Sequence, residues 1–235
     1  MKNIHRSLVS AVIAVSLAVT ACSPAEDGEV EEEKRASASA LTLKDNNGEQ
    51  ELHPPYERVA VTDNRAFEIL SDWGVHIVAA PLDLVPDTLS KDINEESVEA
   101  NLGSHREPDL EALVAADPDI VVNGQRFSQY QDDLESLVDG TPVVDFTPRD
   151  GEDMAKELIR QTEAMGKIFG HEDDAKALVD DFNAALERAK KAYDPDKKIM
   201  AVNTSGGEIN YIAPGKGRFY GPLFELIGMT PVSYT

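Results

Sequence analysis

Two arginines stand where a guanidinium could bind an anion. Arg126 lies four residues past Val122, which ends an apolar stretch, and Arg218 lies in the glycine-containing loop 213–220. A guanidinium offers planar, charge-assisted donors that suit carboxylates and other delocalised anions. The residues alone leave two interpretations of Arg126 open. The simpler one is an ion pair with one of the many nearby acids, and the other is contact with a bound anion.

Other residue types that often carry chemistry give weaker signals. Ser205 has no Gly-x-Ser-x-Gly context and no base placed beside it, so the sequence does not favour an enzyme. Gly215 and Gly217 precede a predicted helix and could cradle a phosphate, but the Lys-Ser/Thr ending of a nucleotide-binding loop is missing. Histidines are scattered along the folded part of the chain, which disfavours a bare metal-ion site: His53, His76, His105 and His171.

The acidic composition limits the kinds of partner. The chain has 235 residues, is 41% hydrophobic and carries a formal net charge of -22. Without the two cations Lys2 and Arg6 of residues 1–21, the charge becomes -24, that is, -22 minus 2. A surface of this sign repels nucleic acid and anionic lipid headgroups. A basic residue beside a cleft therefore needs a specific explanation.

The N-terminus predicts export and lipid anchoring. Lys2 and Arg6 precede an apolar run over residues 8–19, which is shorter than the ~20 residues of a membrane-spanning helix. Residues 1–21 are therefore a predicted signal peptide. The stretch Val-Thr-Ala-Cys at its end resembles a bacterial lipobox, so Cys22, the only cysteine, is the predicted lipidation site. The alternative is an ordinary secretory peptide with an incidental cysteine. Residues 22–40 form a predicted acidic tether.

Residues 41–150 predict an α/β lobe. The stretch 41–52 predicts a hairpin, because its Asn-Gly pair suits a tight turn. Alternating strand and helix patterns follow: strand 58–62, helix 64–73, strand 75–79, a helix from residue 108, strand 119–122, helix 129–138 and strand 143–146. The first strand, helix and strand form a βαβ unit, whose two strands are expected to be parallel.

The rest of the chain predicts a helical spine and part of a second lobe. Residues 151–193 carry an apolar stripe at helical spacing, which Gly170 and His171 interrupt. Residues 194–235 predict a strand at 199–202, a second extended piece at 209–212 and a helix at 221–227. This is about one βαβ unit, which is too little to bury a core of its own.

This order of elements resembles the bacterial iron-siderophore substrate-binding lipoproteins of ABC importers. Besides the lipobox, four motifs carry the resemblance: Pro-Pro-Tyr-Glu-Arg-Val at 54–59, Gly-Ser-His-Arg-Glu-Pro-Asp-Leu-Glu-Ala-Leu at 103–113, Pro-Asp-Ile-Val-Val at 118–122 and Gly-Lys-Gly-Arg-Phe-Tyr-Gly at 215–221. The resemblance implies a two-lobed α/β fold of the periplasmic-binding-protein type with a long connecting helix. It also implies an incomplete second lobe, from a fragment or a truncated reading frame.

The resemblance implies roles for particular residues. The branch of the family that binds ferric catecholate siderophores uses an arginine after the strand that precedes Arg126, and Arg218 matches a second such arginine. A third would fall in the segment that this chain lacks. A ferric tris-catecholate carries roughly three negative charges on a partly aromatic body, so two facing guanidiniums would attract it. Phe127 and Tyr220 could add ring contacts.

The expected function is capture of a ferric siderophore, of the anionic catecholate type, and its delivery to a membrane permease at the cell envelope. The ferric siderophore is then the ligand, and neither a cofactor, an enzymatic activity nor a nucleic-acid partner is expected. In this family acidic residues on helices of each lobe face permease arginines, and Glu68 and Glu111 lie in predicted helices of the first lobe. The alternatives are a haem or cobalamin receptor of the same fold, or a truncated lipoprotein with a structural or interaction role. His105 and Arg106 either edge the cleft or, more simply, lie in a solvated loop.

Overall fold

The structure is a computed structural model that describes residues 40–215 and 220–232. The predicted signal peptide, the lipidation site Cys22, nearly all of the predicted tether and Arg218 lie outside the described residues. Within the described ranges, no helix has both the length and the apolar character that crossing a membrane requires.

The described residues form thirteen strands and six α-helices. The strands are β1 (Leu41–Lys44), β2 (Glu49–Leu52), β3 (Val59–Val61), β4 (Ile77–Ala80), β5 (Ala100–Asn101), β6 (Gly103–Ser104), β7 (Glu107–Pro108), β8 (Ile120–Asn123), β9 (Val143–Asp145), β10 (Lys198–Ile199), β11 (Val202–Ser205), β12 (Glu208–Tyr211) and β13 (Thr230–Pro231). The α-helices are α1 (Ala66–Asp72), α2 (Leu110–Ala115), α3 (Gln131–Leu137), α4 (Met154–Phe169), α5 (Glu172–Ala192) and α6 (Tyr220–Ile227). Short 3₁₀ helices span Leu82–Leu84, Asp87–Leu89 and Gln125–Tyr130.

Five parallel strands form the main sheet, in the order β5-β4-β3-β8-β9. Val59 and Val61 pack into the core on one face, and Ala60 and Val121 pack into the core on the other. Continuous apolar runs suit such strands because both faces are buried. The predicted parallel pairing of the first βαβ unit is confirmed. The strand order reverses between β3 and β8, which is where open α/β sheets hold ligands, beyond the carboxyl ends of the strands.

The N-terminal hairpin protects one edge of this sheet. β1 and β2 pair antiparallel, which confirms the predicted hairpin. The backbone N–H of Asp145 donates to Asp45 Oδ2 at 3.0 Å, and the N–H of Asn46 donates to the Asp145 carbonyl at 2.9 Å. The turn of the hairpin therefore covers the edge of β9, whose backbone groups would otherwise lack partners.

Helices α4 and α5 form the predicted helical tract and separate at a left-handed glycine. Gly170 has φ of 72° and ends α4, as glycine often does at a helix C-terminus. The two helices pack closely, since a Cβ on Gly166 would lie 2.6 Å from the Ala175 Cβ. Trp73, at the end of α1, stacks on His171 with ring centroids 5.1 Å apart. The predicted interruption is confirmed, and the junction packs against the first lobe.

The segment after α5 is less regular than predicted. The single strand predicted at 199–202 is wrong, because β10 ends at Ile199 and β11 begins at Val202. The two strands have different partners: Ile199 pairs with Pro231 in β13, whereas Val202 pairs with Tyr211 in β12. The chain therefore changes sheets between them. Helix α6 confirms the last predicted helix.

Candidate functional site

An open cavity of about 1900 Å³ lies at the carboxyl edge of the main sheet and is called the cleft below. Its walls come from the segments that follow β3, β8 and β9, and from α5 and α6. The cleft includes the point between β3 and β8 where the strand order reverses. Because ligands of open α/β sheets bind at such points, the cleft is the candidate site.

Gly124 allows β8 to continue into the cleft. Its backbone is extended, with φ of 162°, so the conformation itself does not require glycine. A Cβ at this position would lie 2.5 Å from Thr147 Oγ1 and 2.8 Å from Asp63 Oδ2. Only a residue without a side chain permits this approach to the neighbouring loops. The 3₁₀ helix Gln125–Tyr130 starts directly after it.

Arg126 lies in this 3₁₀ helix and lines the cleft. Its Nη1 is 3.1 Å from His105 Nε2, and in the described part of the chain no carboxylate forms an ion pair with it. Burial lowers the pKa of His105, and the cations of Arg126 and Arg106 lower it further, so a neutral imidazole accepts the hydrogen bond near pH 7. The simpler interpretation of Arg126, an ion pair with a nearby acid, does not match these contacts.

The turn between β6 and β7 and the 3₁₀ helix form one block. His105 lies in that turn, and its carbonyl accepts a hydrogen bond from the Tyr130 hydroxyl at 3.0 Å. Gln129 Nε2 donates to the Arg126 carbonyl at 2.8 Å. His105 therefore packs against the segment that carries Arg126, but it stays half-buried in its turn and does not line the cleft. Arg106 next to it is exposed.

The other predicted ligand contacts differ in their accessibility. Phe127 has no exposed surface and packs against Tyr130 with ring centroids 5.8 Å apart. Its ring supports the 3₁₀ helix from within, although the residue is part of the cleft lining, and ligand contact by Phe127 stays a prediction. Tyr220 is 56% exposed at the start of α6. Arg218 is not among the described residues, so its predicted position opposite Arg126 stays a prediction.

Two more arginines line the cleft, and the sequence analysis missed both. Arg65 comes four residues after the end of β3, and Arg149 comes four residues after the end of β9. Arg126 has nearly the same spacing, three residues after the end of β8. The available signal was a cation just past each neighbouring parallel strand, because the carboxyl ends of such strands meet at one edge.

Arg149 is held by a buried carboxylate. Its Nη2 and Nε donate to Glu157 at 2.6 and 2.9 Å, and Arg160 Nη2 donates to the same carboxylate at 2.8 Å. Glu157 is only 3% exposed, and the hydrogen bond from Arg149 is the main reason that its pKa falls to about 2. Arg160 also donates to the Phe146 and Thr147 carbonyls at 3.3 and 3.1 Å. This group ties the start of α4 to the end of β9.

A second buried carboxylate lies beneath the cleft. Asp63 has no exposed surface and accepts hydrogen bonds from Gln161 Nε2 at 2.5 Å and from the Arg65 backbone N–H at 2.9 Å. Burial raises the pKa of Asp63 to about 6 despite these two donors. Asp63 thereby links α4 to the loop that carries Arg65.

The described polar groups of the cleft include no cluster that suits a bare metal ion, and they carry charges of both signs. In residues 40–215 and 220–232, no group of three or more His, Cys, Asp or Glu side chains is arranged to hold a metal ion. Among the described residues, four that line the cleft are basic: Arg65, Arg126, Arg149 and Lys190. Apart from Glu225, its acidic residues lie in the single segment 150–153 before α4.

Comparison with known proteins gives a family match over most of the chain. The family model described as periplasmic binding protein matches residues 59–235. The chain is similar to the petrobactin-binding protein YclQ of Bacillus subtilis (strain 168), with 26% identity over 200 residues, which are 81% of this chain and 59% of YclQ. It is also similar to the Fe(3+)-citrate-binding protein YfmC of the same organism, with 19% identity over 225 residues, 95% of this chain and 70% of YfmC. The chain thus spans about three fifths of the length of YclQ.

Solved structures show the same fold. A TroA-like periplasmic binding protein from Xylanimonas cellulosilytica has a TM-score of 0.69 and 26% identity, over 83% of this chain and 68% of that one. The periplasmic catecholate-siderophore binding protein VctP from Vibrio cholerae has a TM-score of 0.72 and 22% identity, over 84% of this chain and 69% of that one. These likenesses confirm the predicted fold class.

Proposed function

We propose that this chain, which belongs to the periplasmic binding protein family, is the substrate-binding component of an ABC importer. In this proposal it captures a ferric siderophore of the anionic catecholate type and delivers it to a membrane permease. Similar proteins support the ligand class, because YclQ is described as binding petrobactin and YfmC as binding ferric citrate. The ferric siderophore is then a ligand that is bound and released, and it is not a cofactor.

The observation that carries the proposal is that Arg126 lines the cleft and has no described carboxylate partner. Its guanidinium lines the cleft at the point where the strand order reverses, and its one described side-chain partner is the neutral imidazole of His105. The protein has a net charge of -22, so a cation at this edge would be expected to pair with one of its many acids. Because Arg126 has no described carboxylate partner, its charge favours an anionic ligand. A ferric chelate with several negative oxygens provides that charge on a body large enough for the cleft.

Export and anchoring complete the proposal. The family implies an exported protein of the cell envelope. The signal peptide at residues 1–21 and the lipobox cysteine Cys22 support a chain that is cleaved before Cys22 and tethered by a lipid on that residue. The predicted tether 22–40 would hold the folded part away from the membrane.

The permease is the proposed protein partner. Glu68 on α1 and Glu111 on α2 are both exposed, so either carboxylate is free to meet a basic residue of a permease. Their helices both belong to the first lobe, and the resemblance to ABC importers is what supports a docking role for acids of this kind.

Binding measurements with two ferric chelates test the ligand assignment. We expect the purified protein to bind a ferric tris-catecholate, and Arg126→Ala to weaken this binding about tenfold or more, because a charge-assisted hydrogen bond contributes about 1.5 to 3 kcal/mol. Binding of an uncharged ferric trihydroxamate should change little. Equilibrium dialysis with radioactive iron gives both affinities.

Arg106→Ala is the matched control, because it removes the same charge from the neighbouring turn at an exposed residue that does not line the cleft. Failure of the folded protein to bind any ferric chelate would refute the receptor proposal. Binding of haem or cobalamin instead would keep the transport role and refute the siderophore assignment.

A further inference from the structure

We propose that Asp63 couples the binding of an anion in the cleft to the uptake of a proton by the protein. The coupling rests on the proposed function, because the anion is the proposed ferric siderophore. It makes the affinity for the ligand depend on pH through a residue that does not touch the ligand.

Asp63 is buried directly behind the wall of the cleft. Its two neighbours in the chain, Thr62 and Asn64, both line the cleft, and so does Arg65. Asp63 itself has no exposed surface, and its Oδ2 lies 2.8 Å from the place that a Cβ on Gly124 would occupy. The carboxyl group is therefore held between the loops after β3 and β8, one residue away from the cleft surface.

Both groups that donate hydrogen bonds to Asp63 are neutral. They are Gln161 Nε2 at 2.5 Å and the backbone N–H of Arg65 at 2.9 Å. Glu157, the other buried carboxylate near the cleft, is instead bonded to two guanidinium groups. In the part of the chain that the structure describes, Asp63 forms no ion pair. Burial without a bonded cation raises the pKa of Asp63 to about 6, so both of its protonation states are accessible near neutral pH.

The charges around Asp63 act in opposite directions. Arg65 on the same loop favours the ionised carboxylate through space, and Asp145 at the end of β9 disfavours it. Gly124, the neighbour from β8, carries no charge. The other charged groups on the packed segments are Arg126 after β8 and, on α4 and the loop before it, a group whose members pair with one another: Glu157, Arg149 and Arg160. The cation that supports ionised Asp63 is therefore one that also lines the cleft.

A bound anion shifts this balance toward protonated Asp63. The negative charge of the anion repels the ionised carboxylate, and it also offsets the field of Arg65 that favours ionisation. Binding of the anion therefore promotes protonation of Asp63. By thermodynamic reciprocity, protonation of Asp63 strengthens the binding of the anion by the same factor.

The pKa of Asp63 in the free protein sets the pH range of the effect. Below about pH 5 Asp63 is protonated with or without the anion, so binding takes up no proton. At pH 6.5 about three quarters of the free molecules hold an ionised Asp63, and these can take up a proton when the anion binds. We expect the affinity to fall about tenfold from pH 5 to pH 8, which is the effect of one charge roughly 10 Å away near a protein surface.

Isothermal titration calorimetry with a ferric tris-catecholate at pH 6.5 tests the coupling. Titrations in PIPES and in imidazole, two buffers with different ionisation enthalpies, give the number of protons that binding takes up. We expect Asp63→Asn to take up about half a proton less than the unsubstituted protein. Protonation of the ligand, or of His105 beside Arg126, occurs with both proteins and cancels in this difference.

The affinity of the same variant gives a second readout, measured by equilibrium dialysis. Asparagine stays neutral and keeps an acceptor for the backbone N–H of Arg65. We therefore expect Asp63→Asn to bind about tenfold more tightly than the unsubstituted protein at pH 8, and equally at pH 5. If Asp63 were purely structural, the variant would bind more weakly at both pH values.

Gln161→Leu tests the coupling with Asp63 in place, so a folding defect of Asp63→Asn would not hide the result. It removes a hydrogen-bond donor from the ionised carboxylate, and Asp63 should then stay protonated to a higher pH. The fall in affinity should move to higher pH with it. An unchanged pH profile in this variant would contradict the coupling.

Asp150→Asn is the matched control, because it removes the same charge from an exposed residue that lines the cleft. It should leave the proton uptake at pH 6.5 unchanged. Equal proton uptake by the unsubstituted protein and Asp63→Asn, with both binding the ferric tris-catecholate, would refute the coupling and leave the receptor role standing. If the unsubstituted protein binds no ferric chelate, both are wrong.

Discussion

Two arginines lie at opposite edges of the same parallel sheet and have opposite surroundings. Arg58, just before β3, donates to both oxygens of Glu99 at 2.9 and 2.7 Å, and to the carbonyls of Ala116 and Asp117 at 2.5 and 3.0 Å. Arg126, just after β8, has the neutral ring of His105 as its described partner. The amino edge therefore uses its cation to hold loops together, and the carboxyl edge keeps its cation available.

Neighbouring residues follow the same division. At the amino edge, Asp119 holds the segment that precedes β3. Its carboxylate accepts hydrogen bonds from the backbone N–H groups of Glu57 and Arg58 at 2.8 and 3.0 Å. At the carboxyl edge, Gly124 has no room for a Cβ, and Gln125 next to it has a left-handed backbone. Both lie above the buried carboxyl group of Asp63. Left-handed backbone in a residue other than glycine occurs at both edges, at Asp117 before β8 (φ of 46°) and at Gln125 after it (φ of 57°), so the close packing around Gly124 is what sets the carboxyl edge apart.

Glu157→Gln should have the largest effect on stability, and it marks the limit of the comparison, because Arg149 is at the carboxyl edge yet is paired like Arg58. The pKa of Glu157, about 2, lies below the ordinary value of 4.5. Ionised Glu157 therefore stabilises the fold above about pH 4.5, and this contribution is lost as the pH falls toward 2. We expect the variant to lose about 3 kcal/mol at pH 7 in urea unfolding. An unchanged free energy of unfolding would show that the Arg149, Glu157 and Arg160 group is not structural.

Gly124→Ala should have the next largest effect, because it places a Cβ 2.5 Å from Thr147 Oγ1 and 2.9 Å from the Asp63 Cβ. We expect a loss of about 2 kcal/mol in the free energy of unfolding, together with weaker ligand binding, since the loops that carry Arg65 and Arg126 must separate. The double variant Gly124→Ala/Thr147→Ala should recover part of both. Full stability of the single variant would mean that the close approach is not required.

Asp63→Asn should have a smaller effect of the opposite sign. The folded pKa of about 6 lies above the ordinary value of 3.8, so protonated Asp63 favours the folded state and that contribution is lost as the pH rises from about 4 to about 6. We expect the variant to be more stable than the unsubstituted protein by about 1 to 2 kcal/mol at pH 7 and to lack this pH dependence. Urea unfolding at pH 4, 5, 6 and 7 measures it. If the free energies of unfolding of the two proteins changed in parallel with pH, Asp63 would not be the group that has the raised pKa.

The sheet and the position of Arg126 could be predicted because local patterns determine them. Runs such as 120–122 are apolar on both faces, as a buried parallel strand requires, and the Asn-Gly pair of the hairpin specifies its own turn. The carboxyl ends of parallel strands share an edge, so the place of Arg126 followed from the strand before it.

Other features depend on distant partners and leave no such pattern. The contact between His105 and Arg126 joins residues 21 positions apart, and the break between β10 and β11 follows from the choice of β13 and β12 as partners. The left-handed conformation of Gln125 carries no composition signal, because glutamine is not a typical turn residue. Arg65 and Arg149 were predictable by the same spacing rule as Arg126 and were missed.

The direct test of the central claim compares Arg58→Ala with Arg126→Ala in two assays, thermal unfolding and equilibrium dialysis with a ferric tris-catecholate. The account predicts that Arg58→Ala lowers the Tm by about 2 to 4 °C, because its hydrogen bonds to Glu99 and Ala116 are lost, and leaves the affinity unchanged, because Arg58 does not line the cleft. It predicts that Arg126→Ala keeps the Tm and loses about tenfold or more in affinity. Equal affinity of the Arg126→Ala variant and the unsubstituted protein would contradict it.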